Sequence, residues 1–559
     1  MSVNISKLSF RKGLKNNLFS RISKLSTDNL ELNNEDVFKL AEEYNLGVST
    51  IYGTNSFYDF LASEHKNKKA FICEGTACLC SGDQDDIKDK LEFKLGKGNV
   101  GHMMCLGRCY ENKAFHYDGV NYSGNGIDDI DEIIEGKKIT SNKIYAKSYA
   151  SKSFLIDDEF SSAEDFKNLL TKVLNDGKDN VLDDIIKSNL RGRGGAGFVA
   201  GLKWQFCKDQ QSKKKYVVCN ADEGDPGAFS DRYLLENQAL KVIFGMLTCA
   251  YIIGSNEGVL YIRGEYPDSI INISNTIDKL KSNGLLGENI LDSNFNFNLY
   301  ISIGQGAYIC GEETALLASI EGRRAEVDIR PPFPTVEGLF KMPTVINNVE
   351  TLAAVPNILK FGYAKFANIG NSKSTGTKLI CLDSFFKNPG VYEIDMGVRL
   401  KDVLYNIGGG FKTDIKALQI GGPLGGIVPI TKINDLNLDF ESFSENGFML
   451  GHASFVSIPE NFKIIEYMKH LFDFTKKESC GKCFPCRLGS IRGLEMIEQA
   501  IKSENKINKK LLEELLDAME KTSLCGLGGG LPLPIKNIIE YFSTELKKYF
   551  QEVTIKEKL

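Results

Sequence analysis

No stretch of about 18 apolar residues, the length a helix needs to span a bilayer, occurs in the chain of 559 residues. The nearest approach, Val242 to Ile253, is interrupted by Gly245 and Thr248. Direct membrane insertion is therefore not expected. Neither sign of charge dominates. The 68 basic and 73 acidic residues leave a net charge of −5, so electrostatics give no reason to expect nucleic acid or anionic lipid as a partner. No apolar signal precedes the cysteines, so a disulfide framework is not expected in a chain of this size. Histidine is scarce, with five residues. Residues 1–27 contain no Asp or Glu but six Lys or Arg and six Ser. They are expected to be a basic leader on a cytoplasmic protein. A transit peptide to a mitochondrial or hydrogenosomal matrix is the alternative. No internal repeat is evident. At roughly 100–200 residues per domain, the length suggests about three to five domains.

Cysteine is the informative residue. Of 14, five fall between Cys73 and Cys109 and three between Cys480 and Cys486. Clustered thiols in a reducing compartment read as metal or iron–sulfur ligands. In Cys480-Gly-Lys-Cys483-Phe-Pro-Cys486 the spacing brings three thiolates onto one compact loop. Cys525, in a separate Gly-rich segment, closes the cage. Four thiolates suit a 4Fe–4S cluster or structural zinc. The three-plus-one arrangement, with His470 outside the motif, favours the cluster. The second set, Cys73, Cys78, Cys105 and Cys109, suits a 2Fe–2S cluster, with Cys80 as a fifth thiol nearby.

Residues 28–65 read as helical, with Asn34 as cap and Val37, Leu40 and Ala41 as the apolar side. Residues 66–135 read as a small α/β or α+β domain with a hairpin at Asp118-Gly119. Residues 136–159 are polar and read as a linker. Residues 160–375 alternate helix and strand, which argues a parallel, Rossmann-like sheet. Residues 376–460 read as a small β-rich domain and 461–559 as a helical bundle. The fold class is thus α/β and multidomain.

Within 160–375, Gly192-Arg-Gly194-Gly195-Ala-Gly197-Phe198 is glycine-rich enough to close on a phosphate or a flat ring. A helix, not a strand, precedes it, unlike the dinucleotide fingerprint. Lys203 follows as a phosphate counter-charge. Asn220-Ala-Asp222-Glu223-Gly-Asp225 gathers three carboxylates at a strand end. Tyr308-Ile-Cys-Gly-Glu312-Glu313 starts a helix with two more. Phe333 sits in a stiff proline loop after Arg330. Asn347-Asn348-Val-Glu-Thr351 offers amides. A phosphate- and ring-binding domain beside two thiolate sets fits flavin, which turns a hydride into single electrons that iron–sulfur clusters carry.

These motifs, from Arg191-Gly-Arg-Gly-Gly-Ala-Gly-Phe198 through Glu478-Ser-Cys-Gly-Lys-Cys-Phe-Pro-Cys-Arg487, resemble the 51-kDa flavin subunit of respiratory complex I. The same module serves as diaphorase in NAD-reducing and electron-bifurcating hydrogenases and NAD-dependent formate dehydrogenases. Residues 28–135 resemble the 24-kDa subunit with its thioredoxin-like domain. The fusion points to the hydrogenase or formate dehydrogenase branch.

The resemblance implies that Gly192, Gly194, Lys203, Asn220, Asp222, Glu223, Tyr308, Glu312, Asn347, Asn348 and Thr351 hold FMN. It implies that Gly195, Phe198, Lys203, Phe206, Asp225, Glu313, Arg330 and Phe333 bind NAD(H). Glu223, Asp225 and Glu313 are the implied catalytic groups, acting through the pocket's field. Residues 376–460 would be ubiquitin-like. Other redox subunits of a hydrogenase, formate dehydrogenase or complex I-like assembly are the implied partners. Three features depart from the family pattern. Asp225 stands where Glu is usual, Val199-Ala200 replaces Pro-Thr, and the Cys78–Cys105 stretch is short.

Overall fold

The computed structural model describes residues 14, 18–29, 32–62, 65, 68–124, 128–137 and 143–551. Most of the 1–27 leader lies outside them. Three sheets organise the chain.

The first sheet holds β1 (Ala70–Cys73), β2 (Val100–Met103), β3 (Phe115–Tyr117) and β4 (Val120–Tyr122), in the order β2-β1-β3-β4. β1 and β2 run parallel, so the chain crosses over between them through helices Thr76–Ser81 and Gln84–Leu95. The hairpin turns at Asp118-Gly119, both at positive φ (47° and 75°), as a two-residue type I′ turn requires. Ahead of this sheet, helix Asn34–Tyr44 is capped by Asn33, whose side chain accepts from the Asp36 N–H at 2.9 Å. The expected cap was Asn34. Either asparagine suits the role, and Asn33 is the one that reaches the orphan third N–H. Val37, Leu40 and Ala41 are buried as expected.

β5 (Ala146–Ser148) belongs to the third sheet, after an intervening parallel one. That central sheet holds β6 (Tyr216–Ala221), β7 (Glu257–Ile262), β8 (Asn298–Ile303) and β9 (Thr344–Asn348), all parallel, in the order β8-β7-β6-β9. The chain starts at β6, steps outward to β8, then returns to the other side at β9. The order therefore reverses between β6 and β9, and ligands in open parallel sheets bind at the carboxyl ends of such a pair. The near-continuous apolar run Val242–Ile253 lies in helix Ala239–Ile253, packed in the core with helix Val349–Phe361. Among the described residues no helix is long and apolar enough to cross a membrane.

The third sheet adds β10 (Thr377–Leu382), β11 (Gly390–Asp395), β12 (Ile415–Ile420), β13 (Gly426–Pro429) and β14 (Ser454–Pro459), in the order β13-β12-β14-β10-β11-β5. β5 falls inside the stretch expected as a linker. It pairs parallel with β11, and the segment after it is fastened too. The buried Glu393 carboxylate accepts the N–H groups of Phe154 (2.7 Å) and Leu155 (3.1 Å). Its polar composition is that of an edge strand, which faces water on one side. A buried ion pair, Lys378 with Glu350, joins β10 to helix Val349–Phe361. Helices Ile464–Glu478, Phe484–Ile501, Lys509–Thr522 and Pro532–Tyr541 close the chain.

Candidate functional site

Two adjoining cavities open at the β6/β9 crevice. The outer one, of about 510 Å³, is lined by Gly192, Gly194, Phe198, Lys203 and Phe206 from the glycine loop and the helix after it. Asn220, Glu312, Glu313, Arg330, Phe333, Asn347, Asn348 and Thr351 complete it. The inner one, of about 350 Å³, shares Gly194, Asn220, Glu312 and Asn348 and adds Gly195, Asp222, Glu223, Asp225 and Tyr308. All the non-cysteine residues singled out from sequence thus meet at one place.

The glycine loop is held from behind. The Arg193 backbone N–H donates to Thr351 Oγ1 (2.9 Å), and the buried Arg193 guanidinium donates to the Thr375 and Thr377 carbonyls. A side chain at Gly194 would bring a Cβ to 3.0 Å from Asn348 Cβ, so the bare backbone is what leaves the cradle open. Trp204, the one tryptophan, is buried and donates to Asn347 Oδ1 at 2.7 Å. Lys203 Nζ donates to the Ile346 carbonyl (3.1 Å) and lies 3.9 Å from Glu313. Burial lowers its pKa. Arg330 donates to Glu313 at 2.6 Å. Phe198, Phe206 and Phe333 leave about half of their surface free around the mouth (48%, 49% and 54% exposed). Such faces suit a stacked aromatic ligand.

The inner cavity is acidic. Glu223 accepts the N–H groups of Asp231 (2.9 Å) and Arg232 (3.0 Å), and burial raises it to about 7. Asp225 accepts from the Tyr308 hydroxyl at 2.6 Å, and burial raises its pKa as well. Burial also holds Asp222 well above the ordinary carboxylate range, with its Oδ2 buried and unpartnered. Glu312 caps helix Glu313–Ile320 through the Thr314 and Ala315 N–H groups, while its Oε1 is buried without a hydrogen bond. Buried oxygens without a hydrogen bond beside an open backbone cradle fit a ligand that brings a few donors, as the single N3–H of a flavin ring and the hydroxyls of its ribityl chain do.

Sequence reasoning missed two groups here. Asp231 takes the Asn348 amide at 2.6 Å. His452, from the loop before β14, places Nε2 3.3 Å from Asp231 and 3.8 Å from Glu223. Burial works against its cation, but Asp231 prevails and raises the imidazole to about 9. Its scarcity was the only sequence signal.

Both thiol sets assemble. Cys73, Cys78, Cys105 and Cys109 are each 1% exposed, with Cys105 and Cys109 sulfurs 3.5 Å apart. Cys80 is not among them. It turns into the core between the third sheet and the C-terminal helices, beside Tyr467. In the other set, Cys483 precedes helix Phe484–Ile501, Cys486 lies in its first turn, and Cys525 caps helix Gly526–Gly530. Close approach of the two segments requires Gly528, where a Cβ would fall 2.6 Å from Cys486 Cβ. Burial pushes the Cys486 thiol to about 11 and Cys525 to about 12. Thiols that burial keeps protonated become ligands when a cation takes the proton's place, so both sets fit iron–sulfur clusters. His470 stands apart, facing Glu74 and Asp473.

Comparison with known proteins agrees with this geometry. Residues 185–357 match the Nuo51 FMN-binding domain, and 466–549 the NADH-ubiquinone oxidoreductase-F iron–sulfur binding region. The chain is 34% identical over 520 residues to the NAD-reducing hydrogenase HoxS subunit alpha of Cupriavidus necator, covering 88% of this chain and 84% of that one. It is 40% identical over 386 residues to the NADP-reducing hydrogenase subunit HndC of Solidesulfovibrio fructosivorans (68% and 78% covered). A solved structure of an NAD+-reducing [NiFe]-hydrogenase in the air-oxidised state superposes with a TM-score of 0.83 at 26% identity, covering 95% of this chain and 94% of that one. The chain belongs to the family of NADH-binding flavin subunits found in NAD-reducing hydrogenases and NADH-quinone oxidoreductases.

Proposed function

We propose that the chain is the diaphorase subunit of a multi-subunit assembly. It exchanges hydride between NAD(H) and FMN and passes single electrons through a 4Fe–4S cluster at Cys480, Cys483, Cys486 and Cys525. A 2Fe–2S cluster sits at Cys73, Cys78, Cys105 and Cys109. A hydrogenase or formate dehydrogenase is the partner. In this reading the first sheet is thioredoxin-like, the central one Rossmann-like and the third ubiquitin-like.

One observation carries the proposal: residues that adjoin both thiol sets wall the inner cavity or flank it. Gly526 and Leu527, next to Cys525, line its wall. On another side, the Gly227 N–H, two residues from Asp225, donates to Cys109 Sγ at 3.2 Å. Bound FMN supplies the change from two-electron to one-electron chemistry. The glycine loop and Lys203 hold its phosphate, and Asn220, Asn348 and the inner carboxylates take its ring edges. Phe198, Phe206 and Phe333 stack on the dinucleotide. No side chain has to move a proton, so catalysis is positioning of the two rings.

Glu313 and the inner carboxylates disfavour the extra phosphate of NADPH. Reduction by NADPH as fast as by NADH would contradict this. The test of the function is an anaerobic NADH titration of the purified full chain. Bleaching of both flavin and iron–sulfur absorbance supports it. A preparation with full flavin and iron that NADH leaves unbleached overturns it.

A further inference from the structure

Among the described residues lining the inner cavity, five are carboxylates: Asp222, Glu223, Asp225, Asp231 and Glu312. The one basic residue in that lining is His452; from outside it Arg330 reaches Glu312 at 3.8 Å, and Arg263 donates to the Glu223 carbonyl at 2.6 Å and acts on Asp222 and Asp225. His452 is 6% exposed, and both its ring nitrogens are buried without a hydrogen bond. The ring is nonetheless fixed in place, between Asp231 at 3.3 Å and Glu223 at 3.8 Å. Asp231 is anchored in turn by the Asn348 amide at 2.6 Å. Glu223 is anchored by the Tyr266 hydroxyl (3.2 Å) and two backbone N–H groups. A divalent cation among these three would compete with the N–H donors that already occupy both Glu223 oxygens. An imidazolium disturbs neither carboxylate.

The chemistry of the site calls for such a cation. A hydride leaves the nicotinamide as a proton with two electrons. The dinucleotide becomes one charge more positive and the flavin one charge more negative. That negative charge arrives in a cavity lined by five carboxyl groups, and those that are ionised repel it. Resting on the function proposed above, we propose that His452 is a positioning residue that offsets this charge and so sets the flavin's preference for its reduced form. It acts from the loop that leads into β14 of the third sheet.

The test uses the purified full chain with His452→Gln and His452→Lys, reading flavin content and the flavin midpoint potential by anaerobic spectroelectrochemistry. His452→Gln is expected to keep flavin while its reduced-over-oxidised preference falls about tenfold, a drop of about 30 mV for a two-electron couple. His452→Lys is expected to recover most of the drop. Equal potentials in the wild type and His452→Gln overturn the proposal while leaving the function standing. A wild-type chain that binds no flavin overturns both. Should His452→Gln fail to fold, the flavin-stripped wild type decides instead. It is expected to bind reduced FMN more tightly than oxidised FMN, and equal affinities would overturn the proposal.

Discussion

The two thiol sets are chemically alike and physically unlike. Cys73, Cys78, Cys105 and Cys109 lie at 1% exposure in the main core, with Gly227 of the flavin-binding domain donating to one of them. Cys480 and Cys486 are buried, but Cys483 and Cys525 are half-buried, and Phe484 and Leu488 beside them stand 67% and 53% exposed. The first set is enclosed by this chain. The second opens to the surface at two helix N-termini. The difference is one of access: the first set is closed off from solvent, and the second is reachable at the surface.

The largest expected effect comes from removing one ligand on each side. Cys486→Ser should lose the 4Fe–4S signal in electron paramagnetic resonance and keep the 2Fe–2S signal. Cys78→Ser should do the reverse. Because its site is core, it should also lower the melting temperature more than Cys486→Ser does. Equal stability losses would break the comparison.

The first set also meets the segment after β10, where the Ser384 N–H donates to the Cys109 carbonyl at 3.0 Å, and a buried ion pair fastens β10 to the flavin-binding domain. Lys378→Met strands Glu350 as an unpaired buried charge. It should cost about 3–5 kcal/mol in denaturant unfolding. A cost below about 1 kcal/mol would mean that the two regions are not locked together by this pair.

A smaller loss is expected at Trp204→Phe, which leaves Asn347 Oδ1 without its donor. About 1–3 kcal/mol of stability and part of the bound flavin should go, with both cluster signals retained. Loss of a cluster in this variant would show that the cavity and the thiol sets are less separable than described.

The smallest effect is a pH dependence on the second side. Burial lowers His470 to about 4, below its ordinary 6.5. The unfolded chain therefore binds more protons between these values, so the contribution of His470 is present above about pH 6.5 and lost as pH falls toward 4. His470→Gln should flatten the melting temperature over that window. A variant that tracks the wild type would contradict it.

Local chemistry was legible in the sequence wherever the partners are close in the chain. The Asp118-Gly119 turn, the Cys480–Cys486 spacing and the alternation behind β6 to β9 each follow from short-range rules. So did the asparagines and carboxylates at the β6 and β9 ends, because strand ends are where a parallel sheet exposes polar groups. What escaped depends on distant pairing. β5 reads as polar linker until β11 lies beside it. His452 meets Glu223 across more than two hundred residues, and no spacing marks it. Cys80 sits two residues from Cys78, yet the short helix Thr76–Ser81 turns the two sulfurs apart.

One cavity lies between the two thiol sets of this chain, and each set is proposed to hold a distinct cluster. Low-temperature electron paramagnetic resonance of the full chain, prepared anaerobically and reduced with dithionite, tests it most directly, alongside iron and FMN content. Two signals are expected: one that persists on warming, from the 2Fe–2S cluster, and one that relaxes fast and is seen only when cold, from the 4Fe–4S cluster. One FMN per chain is expected as well. A single signal from a preparation whose iron suffices for both clusters, or zinc in place of iron at either set, would contradict the proposal.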